Sequence, residues 1–373
     1  MIQKLADLLK YLNDTLDYGH QQKVENLHRQ ILNWEEVERL PLIMAFPYPA
    51  EARFQPFPHR EIFDNPEKML FNELTTAWGT SIALRKELND DLPLTIRANF
   101  GTVLIASIFG GNIGQTGDNP PWVRSFSTVE EFQSSMKHDP LDFSQGWCPK
   151  VFGLYSLYHQ ILEDYQNLKK CLQITLPDMQ GPIDTLELLR GSEVFIDFYM
   201  QPELITNSLQ IISQAQIGFA NKLKDYTCDG PEGYCHQHGF TVKGNILIRN
   251  DSSMMLSPDL YEQYVAPFDS LVIKSLWGGG IHSCGKINHI IGSFLNADGV
   301  QCFDFGQSYL NDIDEIYTMA REKRIPLIRI QPEKEELISG EICKRFSTGV
   351  SLFYEAKSFD EAKYLVQKYK KTT

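Results

Sequence analysis

Between Gly279 and Lys286 the chain reads Gly-Gly-Ile-His-Ser-Cys-Gly-Lys. A short β-prone run there ends on a histidine and a cysteine two residues apart and then breaks at a glycine. Alternate residues of a strand face the same side, so His282 and Cys284 project together. A neutral imidazole and a thiolate aimed at one point make half of a zinc site. The same pair also suits a packed strand end, because cysteine is among the most buried residue types and a histidine there often serves as hydrogen-bonded core. Structural zinc takes four ligands and catalytic zinc three, so donors are needed from elsewhere in the chain.

Other stretches carry chemistry-bearing side chains with less order. Tyr234-Cys235-His236-Gln237-His238 clusters metal-capable groups in a glycine-flanked segment that reads as a lid or a surface loop. Gly110-Gly111-Asn112-Ile113-Gly114 resembles a phosphate loop only loosely, without the Lys-Ser/Thr that a P-loop needs. Arg53 and Arg60 read as solvated arginines rather than a carboxylate clamp.

The elements that must position these groups follow from periodicity. Residues 2–37 read as helix, with Leu5, Leu8, Leu9 and Leu12 at helical spacing. Eight β-prone runs follow, at 42–46, 94–99, 172–176, 246–250, 280–284, 300–304, 327–331 and 350–354, with amphipathic segments between them. Helix starts are marked by Ser257-Pro258-Asp259 and by two capping-box patterns, Ser127 to Glu130 and Ser358 to Glu361. Eight strands alternating with helices suggest an α/β fold, a (β/α)8 TIM barrel over 39–373 with an N-terminal helical extension over 1–38. A doubly wound open sheet would give much the same string. In a barrel the strand ends would offer Arg97 and Asn99, Asp178 and Gln180, Asn250 and Asp251, His282 and Cys284, Asp304 and Gln307, Arg329 and Gln331, and Glu355. So many polar tips would be costly in a sealed core and make sense around an open pocket, although some simply begin loops.

Composition narrows the partners. A formal charge of −13, from 48 acidic against 35 basic residues, argues against a nucleic-acid binder. No apolar run approaches the ~20 residues that a bilayer demands, and the charged first residues lack the pattern of a secretion signal, so a cytoplasmic protein without membrane contact is expected. Seven scattered cysteines, an odd number, suit reduced thiols.

From about Leu40 onward the chain resembles the uroporphyrinogen decarboxylase-like superfamily. The residues that carry the resemblance are 63–70 (Phe-Asp-Asn-Pro-Glu-Lys-Met-Leu), Asn99-Phe100-Gly101-Thr102, Gln180-Gly181-Pro182, and above all Asn250 to Pro258 followed by Tyr261, Pro267 and the His282 to Lys286 block. The resemblance implies a single barrel with its pocket at the carboxyl ends of the strands. Decarboxylases of that family carry an arginine-rich motif after the first strand; here the place reads Ala45-Phe46-Pro47-Tyr48-Pro49-Ala50-Glu51-Ala52-Arg53. The His-x-Cys-Gly block is instead similar to the corrinoid (cobalamin)-dependent methyltransferase branch, where it supplies two zinc ligands.

What that branch implies is zinc-assisted methyl transfer between a small methylated substrate or thiol and a corrinoid held by a partner protein. His282 and Cys284 would be metal ligands. The branch's third ligand is a cysteine at the end of the last strand, but residues 346–351 hold none. Cys302, Asp304 or Glu355 would have to complete the set, and Cys343, on the preceding helix, would point elsewhere. Asp251 and Asp304 are expected to be catalytic, and Asn99, Gln180, Asn250, Gln307 and Arg329 to bind substrate. The alternatives are a metal-free carboxy-lyase using the same pocket and a non-catalytic ligand-binding barrel.

Overall fold

Each of the eight β-prone runs forms a strand. They are β1 (Leu42–Ala45), β2 (Thr95–Ile96), β3 (Gln173–Ile174), β4 (Leu247–Arg249), β5 (Gly279–Ser283), β6 (Val300–Phe305), β7 (Leu327–Ile330) and β8 (Val350–Glu355). The computed structural model describes residues 1–228, 230 and 232–373. Six strands make one parallel sheet in the order β1-β8-β7-β6-β5-β4, and β2 and β3 form a separate parallel pair. The first strand therefore lies beside the last, Leu42 against Leu352 and Ala45 against Glu355. Strands β5 to β8 are largely buried on both faces, as a parallel sheet covered by helices requires.

Among the described residues the backbone ladder is interrupted between β1 and β2 and between β3 and β4. β2 and β3 are only two residues long, and side chains take over part of the ladder's work. Asp91 Oδ2 accepts the Leu42 N–H and Asp90 Oδ2 the Met44 N–H, each at 2.9 Å, so two carboxylates occupy the free edge of β1. At the other gap the chain after β3 presses onto β4: a methyl group at Gly181 would overlap the Arg249 carbonyl oxygen and stand 3.0 Å from Asn250 Oδ1.

The N-terminal region is two helices rather than one, α1 (Gln3–Thr15) and α2 (Tyr18–Leu32). Leu16 turns extended, and Asp17 caps the second helix by accepting the His20 N–H at 3.2 Å. Leu5, Leu8, Leu9 and Leu12 are buried, as their spacing predicts. Ser257 caps its helix through the Leu260 N–H, but at the 127–130 pattern it is Thr128, one residue later, that accepts the Glu131 N–H.

The 234–238 cluster belongs to neither a lid nor a surface loop. It forms an antiparallel hairpin, Tyr234–Gln237 with Phe240–Lys243, closed by His238 and Gly239, both at positive φ as a two-residue hairpin turn of this hand requires. His236 meets Glu25 of α2, Phe240 packs against Phe353 of β8 at 5.6 Å, and Cys302 of β6 donates to the Lys243 carbonyl. The hairpin is buried because it runs from the N-terminal helices to the sheet, with its turn at the strand ends. No helix among the described residues is long and apolar enough to cross a membrane, and no two of them are joined by a disulfide.

Asp91 is the anchor of the β1 edge. Burial alone would raise its carboxyl, but the paired Arg39 guanidinium, at 2.5 and 2.8 Å, with Lys370 and the Leu42 N–H, brings it from the ordinary 3.8 down to about 2. A depressed carboxyl stabilises the fold above its unfolded pKa, here by about 2 kcal/mol, and the contribution is lost as pH falls from about 4 to about 2. Urea unfolding at pH 7 should show Asp91→Asn about 3 kcal/mol less stable than wild type, with the gap narrowing at pH 3; a gap independent of pH would contradict this anchoring.

Candidate metal centre

Parallel register sets three polar tips side by side: Arg249 of β4 opposite His282 of β5, and His282 opposite Asp304 of β6. His282 and Asp304 are fully buried. Asp304 Oδ2 accepts from His282 Nδ1 at 2.7 Å and from Arg329 Nη2 at 3.0 Å. Burial would raise the Asp304 carboxyl, but Arg329 and then His282 outweigh it and hold the group ionised. A carboxylate on Nδ1 fixes the proton there and leaves the Nε2 lone pair as a donor.

That lone pair points at two further electron donors. Cys284 Sγ lies 3.4 Å from Nε2 and Asp251 Oδ1 lies 3.6 Å from it, and the three atoms are all within 4.8 Å of one another. Tetrahedral zinc with ordinary bond lengths would set nitrogen and sulfur about 3.6 Å apart and nitrogen and oxygen about 3.3 Å apart. The Cys284 N–H already serves Asp251 Oδ1, and Arg249 Nη2 stands 3.5 Å from His282 Nε2, a long contact that a cation at ligand distance would replace. The residues present fit zinc.

The supports of this trio are specific. Asp251 Oδ1 accepts the Cys284 N–H at 2.8 Å, and Arg249 holds Oδ2 at 3.3 Å while also binding Asp178 at 3.0 Å. Asp184 accepts the Asp251 and Ser252 N–H groups, at 3.0 and 2.9 Å, tying the loop after β4 to the helix that begins at Pro182. Burial, and then the Asp251 charge, push the Asp184 carboxyl up to about 8. Burial, with the Asp251 charge next, pushes the Cys284 thiol up to about 12, so a cation must displace a proton to gain the sulfur. Gly306 stands where any side chain would strike Cys284: a Cβ would overlap the sulfur and lie 3.0 Å from Cα.

A second trio shares the same histidine. His238, His282 and Asp304 bring one ligand atom each within 4.8 Å, all buried. His238 Nε2 meets Asp178 Oδ2 at 3.2 Å and its ring packs on Trp78 at 4.5 Å between centroids. Burial lowers the imidazole to about 3, leaving it neutral at pH 7.

The other expected site residues are distributed as follows. Asn99 donates to Glu73 at 2.8 Å and lines a cavity of about 660 Å³ with Trp78, Arg97 and Asp178. Gln180 donates to Asp178 at 2.8 Å and lines a neighbouring cavity of about 420 Å³ with Arg249 and Asp251. Asn250 is buried, its amide donating to Asp269 and its backbone N–H to the His282 carbonyl, so it ties strand ends together. Gln307 accepts the Gly285 N–H at 2.6 Å. Arg329 lies over Phe240 at 4.5 Å besides holding Asp304.

Cys302 is not brought to the metal trio. It shares a face with Asp304 but sits two residues back along β6, roughly 6–7 Å deeper, and its sulfur donates to the Lys243 carbonyl at 3.4 Å. Glu355 is exposed, and Cys343 meets Tyr369 Oη at 3.2 Å, away from the centre. Arg249, His238 and Trp78 were not singled out as site residues by sequence. Arg249 is the next-to-last residue of the β-prone run at 246–250 and His238 lies in the metal-capable cluster, which are usable signals; Trp78 offers none.

The fold has a solved counterpart. A methyltransferase from Methanosarcina mazei superposes with a TM-score of 0.65 at 15% sequence identity, over 93% of this chain and 98% of that one. At that identity the likeness establishes a shared fold, a mixed α/β architecture around a parallel sheet. No protein-family model and no curated protein matches the chain.

Because Gly306 clears the space that Cys284 occupies, Gly306→Ala should weaken zinc binding by about tenfold or more while leaving the thermal midpoint within a few degrees. Unchanged affinity, measured by competition with a chromogenic chelator, would show that Cys284 is not a ligand.

Proposed function

We propose that this protein is a cytoplasmic (β/α)8 methyltransferase of the kind found in the corrinoid-dependent branch of the uroporphyrinogen decarboxylase-like superfamily. It moves a methyl group between a small methylated substrate or thiol and a corrinoid carried by a partner protein, with zinc held by His282, Cys284 and Asp251. The observation that carries this reading is the convergence of Nε2, Sγ and Oδ1 at tetrahedral ligand spacing, with Asp304 fixing the imidazole from behind. The likeness in fold to a methyltransferase supports it.

Zinc at this position lowers the pKa of a bound thiol, or draws charge from a departing heteroatom, and so eases methyl transfer to or from cobalt. The chain's own residues prepare that step. Asp304 keeps the His282 proton on Nδ1, and Arg329 keeps Asp304 ionised. Arg249 bridges Asp251 and Asp178, offsetting two carboxylates next to the ligand set. Trp78, Arg97 and Asn99 form the walls against which a small substrate is oriented, and Gln180 stands at the second cavity beside Asp251.

The arginines bear on the carboxy-lyase alternative. Arg249 faces Asp178 and Asp251, and Arg329 faces Asp304, while Arg97 stands 3.9 Å from Glu73 with two of its nitrogens unpartnered, so one cation near the site remains open to a ligand. A substrate with many carboxylates would find no set of unpaired cations among them. This favours methyl transfer.

Protein purified without chelators should contain about one zinc per chain, and His282→Ala or Cys284→Ala should leave less than about a tenth of that. Zinc affinity should rise with pH as the Cys284 proton becomes easier to displace. Wild-type protein that neither contains zinc nor takes it up on dialysis would overturn the reading.

A further inference from the structure

Of the three arginines at the strand ends, Arg97 alone donates no side-chain hydrogen bond among the described residues. It follows directly on β2, is 5% exposed, and lines the cavity of about 660 Å³. The carboxylate oxygen nearest to its side chain, Glu73 Oε2, stands 3.9 Å from Nε, and Nε and Nη1 are both buried without a partner. Burial holds the Glu73 carboxyl above its ordinary range in spite of Arg97, so this neighbour offsets the guanidinium less than a fully ionised carboxylate would. A buried guanidinium with its hydrogen bonds unmade is costly, and its forked donors match the oxygens of an acid group.

We propose that the substrate this cavity takes is an aromatic monoanion, with its acid group on Arg97 and its ring against Trp78 and Trp122. The walls are largely aromatic and apolar, with Phe63 and Pro121 beside the two tryptophans. Trp78 lies over the Arg97 guanidinium at 4.7 Å, and its backbone is left-handed, with φ 55°, a costly conformation for a bulky residue. Its indole is nevertheless 41% exposed and that of Trp122 60%, so ring surface is presented rather than packed away. Glu73 and Asp178 line the same cavity, so one negative charge is accommodated and a second is repelled. A space of this volume suits a ring-sized molecule, whereas a thiol of a few atoms would leave most of it to water. Asp178 reaches Asp251 through Arg249, and Trp78 packs on His238, whose ring meets His282 at 5.8 Å, so the cavity borders the proposed ligand set. The assignment rests on the methyl-transfer reading for its purpose but not for its binding.

Isothermal titration of the protein as purified tests this with three probes: para-anisate, the uncharged para-anisamide, which keeps the ring, and acetate, which keeps the charge. Para-anisate should bind about tenfold or more tighter than either of the others. Arg97→Gln should bind acid and amide alike, and Arg97→Lys should retain the preference for the acid. If glutamine unfolds the chain, Trp122→Ala, at the exposed wall, carries the test: it should weaken both ring ligands by about threefold or more and leave the preference between them intact. The assignment is overturned if wild type binds none of the three, if it binds the amide or acetate as tightly as the acid, if Arg97→Gln keeps the preference, or if Trp122→Ala binds para-anisate as wild type does. Para-anisate bound by protein that takes up no zinc would keep the assignment and remove the methyl-transfer reading; zinc uptake without para-anisate binding would do the reverse.

Discussion

The hydrogen bond between His282 Nδ1 and Asp304 Oδ2, 2.7 Å long and sealed from water, decides what the centre of this protein can do. It fixes which nitrogen carries the proton, and so which one offers a lone pair. It also sets the ring plane, so that Nε2 meets Cys284 and Asp251 instead of turning into the sheet. The bond exists because β5 and β6 run parallel in register with His282 opposite Asp304, and because Arg329 on the next strand supplies the charge that a buried carboxylate needs. Three adjacent strands are thus committed to one imidazole.

The same logic extends outward as alternating charge. Asp178, Arg249, Asp251, Asp304 and Arg329 are linked by contacts of 3.0 to 3.3 Å or through the His282 ring, and no member is a lone buried ion. Such networks are expensive to dehydrate and contribute little to net stability, so their presence at the strand ends points to function more than to folding. The fold invests elsewhere in holding the ends of its sheet together, with Asp90 and Asp91 standing in for a strand at the edge of β1 and Gly181 letting the chain after β3 lie directly on β4.

Much of this was legible in the chain before any coordinates. The eight strands could be placed because each falls on a short β-prone run, and the pairing of His282 with Cys284 follows from strand alternation alone. Parity has a limit, however: Cys302 and Asp304 share a face, yet depth along the strand separates them, and periodicity says nothing of depth. The break at Leu16 was hidden because leucine continues the apolar pattern while the backbone leaves the helix. The segment 234–238 reads as a lid or a surface loop because glycines flank it, whereas it is one strand and the turn of a hairpin. Only its packing between α2 and the strands shows its residues to be interior. Asp178 and Arg249 lie 71 residues apart, and a contact of that kind leaves no local trace.

The central claim is that one imidazole, one sulfur and one carboxylate oxygen share an ion. X-ray absorption at the zinc edge of the loaded wild-type protein measures those neighbours directly. The account predicts a single sulfur at about 2.3 Å with nitrogen and oxygen at about 2.0–2.2 Å. A first shell without sulfur, or with two or more, would contradict it.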